Sequence, residues 1–234
     1  MKTNILKKNA IIIFIISIID ISVCRSQFVK YKIKGEILSD IGTKELVIYK
    51  YINQMEQQWV GEINLDRKHF EFETSLYEVD SYMIKNPKNN HFFVFIWDND
   101  IEIKIDTLEF SNSKILNSPL TDELQRFFEN LEKKVFFEVR KVDSLILKYN
   151  RETIKNKPKL DSLYNLRTKS MEVAMKEHKN FYLSYINNNL DSFVSLYLLT
   201  KSEGMAFELN YFDFFLKFSD RLKTHSRARE FLGK

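Results

Sequence analysis

The stretch that decides the fold is residues 181–200, FYLSYINNNLDSFVSLYLLT. Apolar residues end one helix, three asparagines interrupt the pattern at residues 187–189, and a second, almost wholly apolar helix follows. Short polar side chains favour helix N-termini, so Asp191 or Ser192 is predicted to cap the second helix. Because residues 193–199 are apolar nearly all round, we expect this helix to be buried between other elements.

The sequence before this stretch has helical periodicity. Ser118 followed by Pro119 is typical of a helix start. Apolar residues then recur every three or four positions along residues 124–149, which predicts one long amphipathic helix. Pro158 interrupts the pattern, which resumes along residues 160–185. Two long helices with a short break predict an antiparallel helical hairpin.

The sequence after the apolar helix is also predicted to be helical. Gly204 stands where the apolar helix should end, because glycine is common just past helix C-termini. Residues 207–218 and 221–232 are predicted to form two further helices that end the chain.

Residues 27–116 show the shorter period of β-strands. Apolar and charged residues alternate along residues 29–37, and β-rich runs occupy residues 46–51 and 82–85. Two pairs of runs are separated by only a few polar residues. These are residues 59–65 with 69–73, and residues 92–97 with 101–105, and each pair predicts a β-hairpin.

Residues 92–97, FFVFIW, form a continuous apolar run. Such a run is typical of a strand that is buried on both faces. An exposed binding patch is the alternative, but apolar residues of this size are more often found in a core.

Together these patterns predict an α+β protein, with an N-terminal antiparallel β-sandwich or barrel followed by an α-helical C-terminal region. The predicted divisions are a signal peptide at residues 1–26, a β-domain at 27–117 and a helical region at 118–234. The 234 residues, of which 44% are hydrophobic, are enough for a packed core.

The first 26 residues predict export. Three lysines precede the apolar segment AIIIFIISII at residues 10–19, and Cys24 and Ser26 would lie at −3 and −1 of a cleavage site before Gln27. A retained membrane anchor is the alternative, although a span needs about 20 apolar residues.

The first 26 residues carry a charge of +3, from four basic residues against Asp20, which leaves +1 of the formal +4 for the rest of the chain. A nearly neutral body does not favour nucleic-acid binding.

Cys24 is the only cysteine, so a protein cleaved before Gln27 would have no thiol for disulfide exchange or metal binding. Alternatively, Cys24 is a candidate lipidation site, as in bacterial lipoproteins. The preceding residues Ile21, Ser22 and Val23 depart from the usual pattern, in which Gly or Ala stands directly before the cysteine.

Five segments carry motifs in a defined order, and they are residues 31–37, 69–72, 92–105, 185–198 and 226–232. This order resembles that of the exported DUF4369 proteins of Bacteroidota. Residues 31–37, YKIKGEI, resemble the opening strand of that family, and residues 69–72, HFEF, resemble its G-x-F-x-F segment without the glycine. Residues 92–105 resemble its FFLE-x-G-x-I-x-I segment, with Asp-Asn-Asp in place of Glu and Gly. Residues 185–198 are similar to F-I-x-x-N-P-x-S-x-V-S-x-Y-x-L, with Leu190 for the proline, and residues 226–232 resemble the closing S-x-x-G-K-x-L.

DUF4369 proteins commonly form the N-terminal part of thioredoxin-like thiol-disulfide proteins of the TlpA and ResA type. The resemblance therefore implies a β-domain, a helical part and association with redox chemistry. The sequence ends at Lys234 without a Cys-x-x-Cys motif, so the redox residues of such proteins have no counterpart in it. We expect either a module encoded alone or a chain truncated before a thioredoxin domain.

No motif predicts catalytic, cofactor-binding or metal-binding residues. The four histidines are scattered, and none has metal-site spacing. Ser192 and Ser195 are explained by helix capping and packing, since a nucleophile needs a base in reach. Glu102, Asp106 and Glu109 could pair, but residues that point outward from a strand are more often solvated.

Three Asp-Ser/Thr-Leu tripeptides resemble the O-glycosylation acceptor pattern of exported Bacteroidota proteins. Their hydroxyl residues are Thr107, Ser144 and Ser162. Export would permit modification, but a glycan on a packed helix face would clash.

The function most consistent with the sequence is a non-catalytic exported module for binding or scaffolding in the cell envelope. It would need no cofactor and would have an unknown protein or cell-envelope partner, with membrane contact only through the signal peptide or a lipid on Cys24. The alternative is an accessory part of a thioredoxin-like oxidoreductase whose catalytic domain is missing. A cofactor-free hydrolase with dispersed residues is a third possibility.

Overall fold

The computed structural model describes residues 28–39, 44–52, 56–65, 68–150, 157–201 and 211–233. Strands come first and helices follow, which confirms the predicted α+β class. The strands are β1 (Val29–Ser39), β2 (Glu45–Tyr51), β3 (Gln57–Asn64), β4 (His69–Leu76), β5 (Asp80–Lys85), β6 (Phe92–Trp97), β7 (Ile101–Asp106) and β8 (Lys114–Leu116). The segment 1–26 with Cys24 and the predicted helix end at Gly204 lie outside the described residues.

The strands form two sheets that pack as a sandwich. The outer sheet has the order β4-β1-β7-β8, and the inner sheet has the order β3-β2-β5-β6. All pairs of the inner sheet are antiparallel, as predicted. In the outer sheet, however, β1 runs parallel to β7, which the sequence did not indicate.

Both predicted hairpins are wrong. β3 and β4 lie in different sheets, and so do β6 and β7, so each short connection crosses from one sheet to the other. β4 and β7 both pair with β1 instead. A few polar residues can turn a chain within a sheet or around the edge of a sandwich, and the alternation of the flanking strands is the same in both cases.

The two sheets enclose a sandwich core to which both contribute. Its buried members are Ile33, Ile37, Leu46, Ile48, Ile63, Phe70, Leu76, Tyr82, Ile84, Phe95, Trp97, Ile101, Ile103, Ile105 and Phe110. Gly35 and Phe70 face each other across β1 and β4, and the ring of Phe70 occupies the space that a side chain on Gly35 would need. The glycine is therefore required by a close approach of an aromatic ring.

The helices are α1 (Pro119–Lys134), α2 (Phe137–Asn150), α3 (Lys157–Asn188), α4 (Phe193–Lys201), α5 (Tyr211–Lys217), α6 (Asp220–Lys223) and α7 (Ser226–Leu232). The single long helix predicted around residues 124–149 is broken between α1 and α2. The helix predicted at residues 221–232 is also broken, between α6 and α7. Within the described part of the 207–218 prediction, α5 is helical.

The predicted helical hairpin is present. α1 and α2 together run antiparallel along α3. Four contacts mark this register: Phe127 with Tyr182, Phe136 with His178, Asp143 with Arg167, and Tyr149 with Lys159. The break between α1 and α2 thus changes the local path of the chain without ending the antiparallel packing.

The inner sheet is covered by the helices on its second face. All seven residues from Phe193 to Leu199 in α4 are buried, which confirms the predicted burial of this helix. The helix core also contains Tyr51, Met83 and Ile96 from the inner sheet. In β6 the last three residues are buried, with Ile96 in the helix core and Phe95 and Trp97 in the sandwich core, whereas Phe92 is exposed.

The first turn of α1 is bonded to the edge strand β6. Ser118 Oγ accepts a hydrogen bond from Thr121 N–H, which confirms the predicted cap. Ser118 Oγ donates to Ile96 O at 2.9 Å, and Ile96 N–H donates to Thr121 Oγ1 at 2.9 Å. Hydroxyl groups of the helix thereby satisfy the backbone groups of a buried sheet edge.

A buried ion pair joins the last helix to the inner sheet. Arg227 in α7 donates to Asp80 Oδ1 from Nε at 2.8 Å and from Nη2 at 2.6 Å, and Nη2 also donates to Ser81 Oγ and Tyr51 O. Lys50 Nζ lies 2.9 Å from Asp80 Oδ2. Burial alone would raise the pKa of Asp80, but Arg227 and Lys50 outweigh it and hold this pKa below its usual range.

Candidate functional site

An open groove of about 820 Å³ lies where α1 meets the end of α3 and the turn into α4. This turn is the asparagine-rich segment of the sequence. The groove is lined by Glu123, Arg126, Phe127, Asn130, Phe181, Tyr185, Asn188, Asn189, Leu190, Asp191 and Ser192. Aromatic and polar side chains therefore meet at one concave surface, as is common in binding sites.

The carboxylate of Glu123 organises the groove. Tyr185 Oη–H and Ser192 Oγ–H both donate to Glu123 Oε1, the latter at 2.7 Å. Ser192 Oγ also accepts a hydrogen bond from Val194 N–H at 3.1 Å, so Ser192 caps α4 as predicted. Glu123 lies in α1, Tyr185 lies in α3 and Ser192 directly precedes α4, so their hydrogen bonds connect these three helices.

The two hydroxyl groups of this trio serve as hydrogen-bond donors to one carboxylate. Burial and the neighbouring carboxylate of Glu123 both raise the pKa of Tyr185, so the phenol stays protonated and acts as a hydrogen-bond donor. The Ser192 hydroxyl is engaged as a helix cap, and its carboxylate neighbour already accepts from Tyr185 on the same oxygen. Nucleophilic catalysis needs a free hydroxyl with a dedicated base, which this arrangement does not supply.

The turn that forms one wall of the groove is fixed from both sides. Asn189 Nδ2 donates to Tyr185 O at 2.8 Å, which holds the end of α3. Ser219 Oγ donates to Asp191 Oδ1 at 2.5 Å, and Arg221 donates to the backbone oxygen of Asp191. Ser219 and Arg221 together hold the pKa of Asp191 below its usual range, so the carboxylate stays charged. The wall is thus preformed.

The floor and the rim of the groove differ in character. Phe127 forms the floor, with its ring centroid 5.3 Å from that of Phe181 and 4.7 Å from that of Tyr185. Arg126 and Asn130 on α1 and Asn188 on α3 are exposed at the rim. A guanidinium and amide groups around an aromatic floor can bind a polypeptide through its backbone and an acidic or apolar side chain.

The three candidate glycosylation residues occupy different environments. Thr107 is 1% exposed, and its hydroxyl donates to Ser39 O at 2.5 Å. Ser144 on α2 and Ser162 near the start of α3 are both exposed, and Ser144 Oγ bonds to Arg140 O. These residues lie outside the groove. Cys24, the candidate lipidation site, is not among the described residues.

The other residues considered from the sequence do not come together as a site. Asp106 is a structural acceptor, bonded by Ser39 Oγ and by the backbone of Leu108 and Glu109, and the first of these lowers its pKa most. Glu102 is exposed on the outer sheet. In the described ranges, no three or more His, Cys, Asp or Glu residues are placed to hold a metal ion.

The four histidines are separated in the structure. His69 and His91 are exposed, whereas His178 lies partly buried on the packed face of α3, where burial lowers its pKa. His225 is buried at the start of α7, and its Nε2 lies 2.7 Å from Val79 O.

Of the described helices, none is long and apolar enough to cross a membrane.

Sequence reasoning missed the groove. It assigned Ser192 to capping and Tyr185 to a packed helix face, and both assignments hold, but nothing local connects them to Glu123. Ser192 and Glu123 are 69 residues apart in the sequence. The only available signal was that a polar turn, rich in asparagine, separates two apolar helix segments.

Comparison with known proteins identifies the first part of the chain. No curated protein matches the sequence. Residues 31–124 match a domain of unknown function, DUF4369. The match ends just after Thr121, the residue that bonds to the edge of β6, so it covers most of the sandwich together with the helical turn that closes it. The chain therefore carries a DUF4369 domain at residues 31–124, followed by the helices that complete the groove.

Proposed function

We propose that the protein is a non-catalytic binding module, and that the groove around Glu123 binds a segment of a protein partner. The observation that carries this proposal is the trio of Glu123, Tyr185 and Ser192. Its hydrogen bonds fix the groove while leaving Arg126 and Asn130 exposed at the rim. A preformed surface loses little conformational entropy on binding, so its contacts can contribute to affinity.

The proposed setting is the cell envelope of a bacterium of the phylum Bacteroidota. Support comes from the signal-peptide pattern of residues 1–26 and from the motif order that resembles exported DUF4369 proteins. Under this proposal the mature protein either begins at Gln27 or is anchored through a lipid on Cys24. The intact mass of the protein from its own cells distinguishes these forms, since a lipid adds mass to a cysteine that cleavage would remove.

The binding proposal is tested by photo-crosslinking in the native cells. A photoreactive phenylalanine analogue replaces Asn130 at the groove rim, and in a matched control it replaces Glu102, which is exposed on the outer sheet. We expect defined adducts from position 130 that are absent from position 102. Adding the substitution Arg126→Glu should remove them, because it reverses the charge at the rim. Identical adducts from both positions would refute the groove as the binding surface.

A second proposal is that the module assists a thioredoxin-like thiol-disulfide oxidoreductase. It is supported by the resemblance of the motif order to TlpA- and ResA-type proteins, and the only cysteine of the sequence is Cys24. The partner would then be, or would be joined to, a redox domain. Crosslinked peptides from position 130 that contain a Cys-x-x-Cys motif would support this proposal, and partners without any redox motif would contradict it.

A further inference from the structure

A second polar cluster lies at the opposite end of α4 from the groove. Lys201, the last residue of α4, places its Nζ 3.1 Å from Tyr51 Oη and 3.2 Å from Tyr197 Oη. The ammonium also lies 4.4 Å from the ring centroid of Tyr51. Tyr51 and Tyr197 are 4% and 2% exposed, whereas Lys201 is only partly buried. The cluster therefore has two buried phenols and one partly exposed ammonium group.

The donors of this cluster exceed its acceptors. An ammonium can only donate, so both phenol oxygens accept from Lys201, and each phenol must direct its own O–H elsewhere. Among the described residues, neither hydroxyl donates to an acceptor and no carboxylate lies within 4.0 Å of Lys201 Nζ. In the part of the chain that the structure describes, two O–H donors and the remaining N–H donors of one cation thus stand together without an anion.

The surrounding charges favour an anion as well. The Arg227 guanidinium lies 5.5 Å from the ring centroid of Tyr197, and Asp80 is shared by Arg227 and Lys50. Burial alone would lower the pKa of Lys201, but Tyr197 and Tyr51 outweigh burial and raise this pKa above its usual value. The lysine therefore stays charged.

We propose that Lys201, Tyr51 and Tyr197 form a binding site for a single carboxylate. A carboxylate carries one charge and accepts several hydrogen bonds through two oxygens, which matches one ammonium with two phenol donors. A phosphate carries more charge than this cluster balances. The carboxylate would come from the C-terminus of a peptide or from an acidic side chain, which share the same chemistry. This site is independent of the groove and does not rest on the proposed function.

The test is a titration of the purified full chain with sodium acetate, at constant ionic strength maintained with sodium chloride. The signal of the Lys201 ammonium in a ¹⁵N-lysine NMR spectrum reports occupancy directly. We expect a saturable shift in the wild type and a dissociation constant about tenfold or more higher for Tyr51→Phe, which removes one donor and keeps the ring. Tyr164→Phe, which alters an exposed tyrosine on α3, is the matched control and should bind acetate like the wild type.

Two results would overturn the proposal. One is a shift that does not saturate in the wild type, and the other is equal acetate affinity in the wild type and Tyr51→Phe. A lysine that only anchors α4 through cation–π contact would give the first result. Lys201→Met removes the reporting group, so for this variant acetate is followed by the melting temperature, which should no longer rise with acetate.

Two model compounds identify the source of the carboxylate. N-acetyl-dialanine presents a chain terminus, and N-acetylaspartate amide presents an acidic side chain. Each is compared with its uncharged amide at the same concentration. Tighter binding of either acid than of its amide supports the site and names the source. Equal responses to the acids and their amides would contradict a carboxylate site.

Discussion

Replacement of Gly35 by alanine tests the close packing of the sandwich. An ideal Cβ at Gly35 would overlap the Cζ, Cε1 and Cε2 atoms of Phe70, whereas carbon atoms normally stay about 3.5–4.0 Å apart. Phe70 is 8% exposed and belongs to the sandwich core, so its ring can move only by displacing its neighbours. Overpacking of a core costs about 1–3 kcal/mol, and we expect Gly35→Ala to lie near the upper value.

A double-mutant cycle separates this steric effect from a general intolerance of β1. Phe70→Ala alone should cost about 3–5 kcal/mol through loss of a buried ring. In that background the clash is absent, so Gly35→Ala should cost less than about 0.5 kcal/mol. Free energies of unfolding from guanidinium chloride titrations of the four proteins should give a coupling energy of at least about 1.5 kcal/mol.

The control pair uses a second glycine of the sandwich, Gly61. A Cβ at Gly61 would meet the ring of Phe72 at 2.6 Å rather than Phe70. Gly61→Ala and Phe70→Ala should therefore be additive within about 0.5 kcal/mol. If Gly35→Ala costs the same with and without Phe70, the ring does not explain the glycine and the reasoning is refuted.

Three further predictions concern the buried polar and apolar contacts. Arg227→Met should cost about 3–5 kcal/mol in urea unfolding, because it leaves Asp80 buried with less countercharge. Arg221→Met, at an exposed pair, should lower the free energy of unfolding far less in the same titration. Since the folded-state pKa of Asp80 is lowered, the unfolded state binds more protons as the solution is acidified. The stability that Asp80 contributes is therefore present above its unfolded-state pKa of about 3.9 and is lost as the pH falls through its folded-state pKa. Asp80→Asn should consequently flatten the pH dependence of the free energy of unfolding below about pH 4. Phe193→Asp should cost several kcal/mol, about 3 or more, because Phe193 is 1% exposed; a thermal melt like that of the parent would show that α4 is not in the core.

Hydrophobic patterning predicted the local structure of β1 and α4. The alternation of residues 29–37 matches β1, with Ile33 and Ile37 in the sandwich core. The unbroken apolar sequence of α4 matches its burial on all sides. In both cases burial and period are linked by geometry alone, so the sequence carries the information.

Strand pairing could not be predicted, because it depends on partners that are distant in the sequence. The connections between β3 and β4 and between β6 and β7 have the polar residues of hairpin turns, yet each crosses between sheets. Both strands that pair with β1, namely β4 and β7, lie much later in the chain. No local pattern distinguishes a turn within a sheet from a crossing between two sheets.

The polar contacts that shape the candidate sites could not be predicted from the sequence either. Arg227 and Asp80 are 147 residues apart, and arginine is seldom buried, so no sequence pattern indicates that Arg227 lies inside. Tyr51 and Lys201 are 150 residues apart. Contacts of this kind follow from the packing of α4 and α7 on the inner sheet, which has to be known first.

The position of α4 determines how both candidate sites would respond to a ligand. Its N-terminal cap, Ser192, bonds to Glu123 in the groove, and its last residue, Lys201, bonds to Tyr51 and Tyr197. Because every residue from Phe193 to Leu199 is buried, the helix cannot shift along its axis without opening the core. Each site is therefore held in a fixed geometry by the same packed element, and binding at either end should proceed with little change in the backbone. Amide chemical-shift changes that spread along α4 on acetate binding would contradict this rigidity, whereas changes confined to Lys201 and its tyrosine neighbours agree with it.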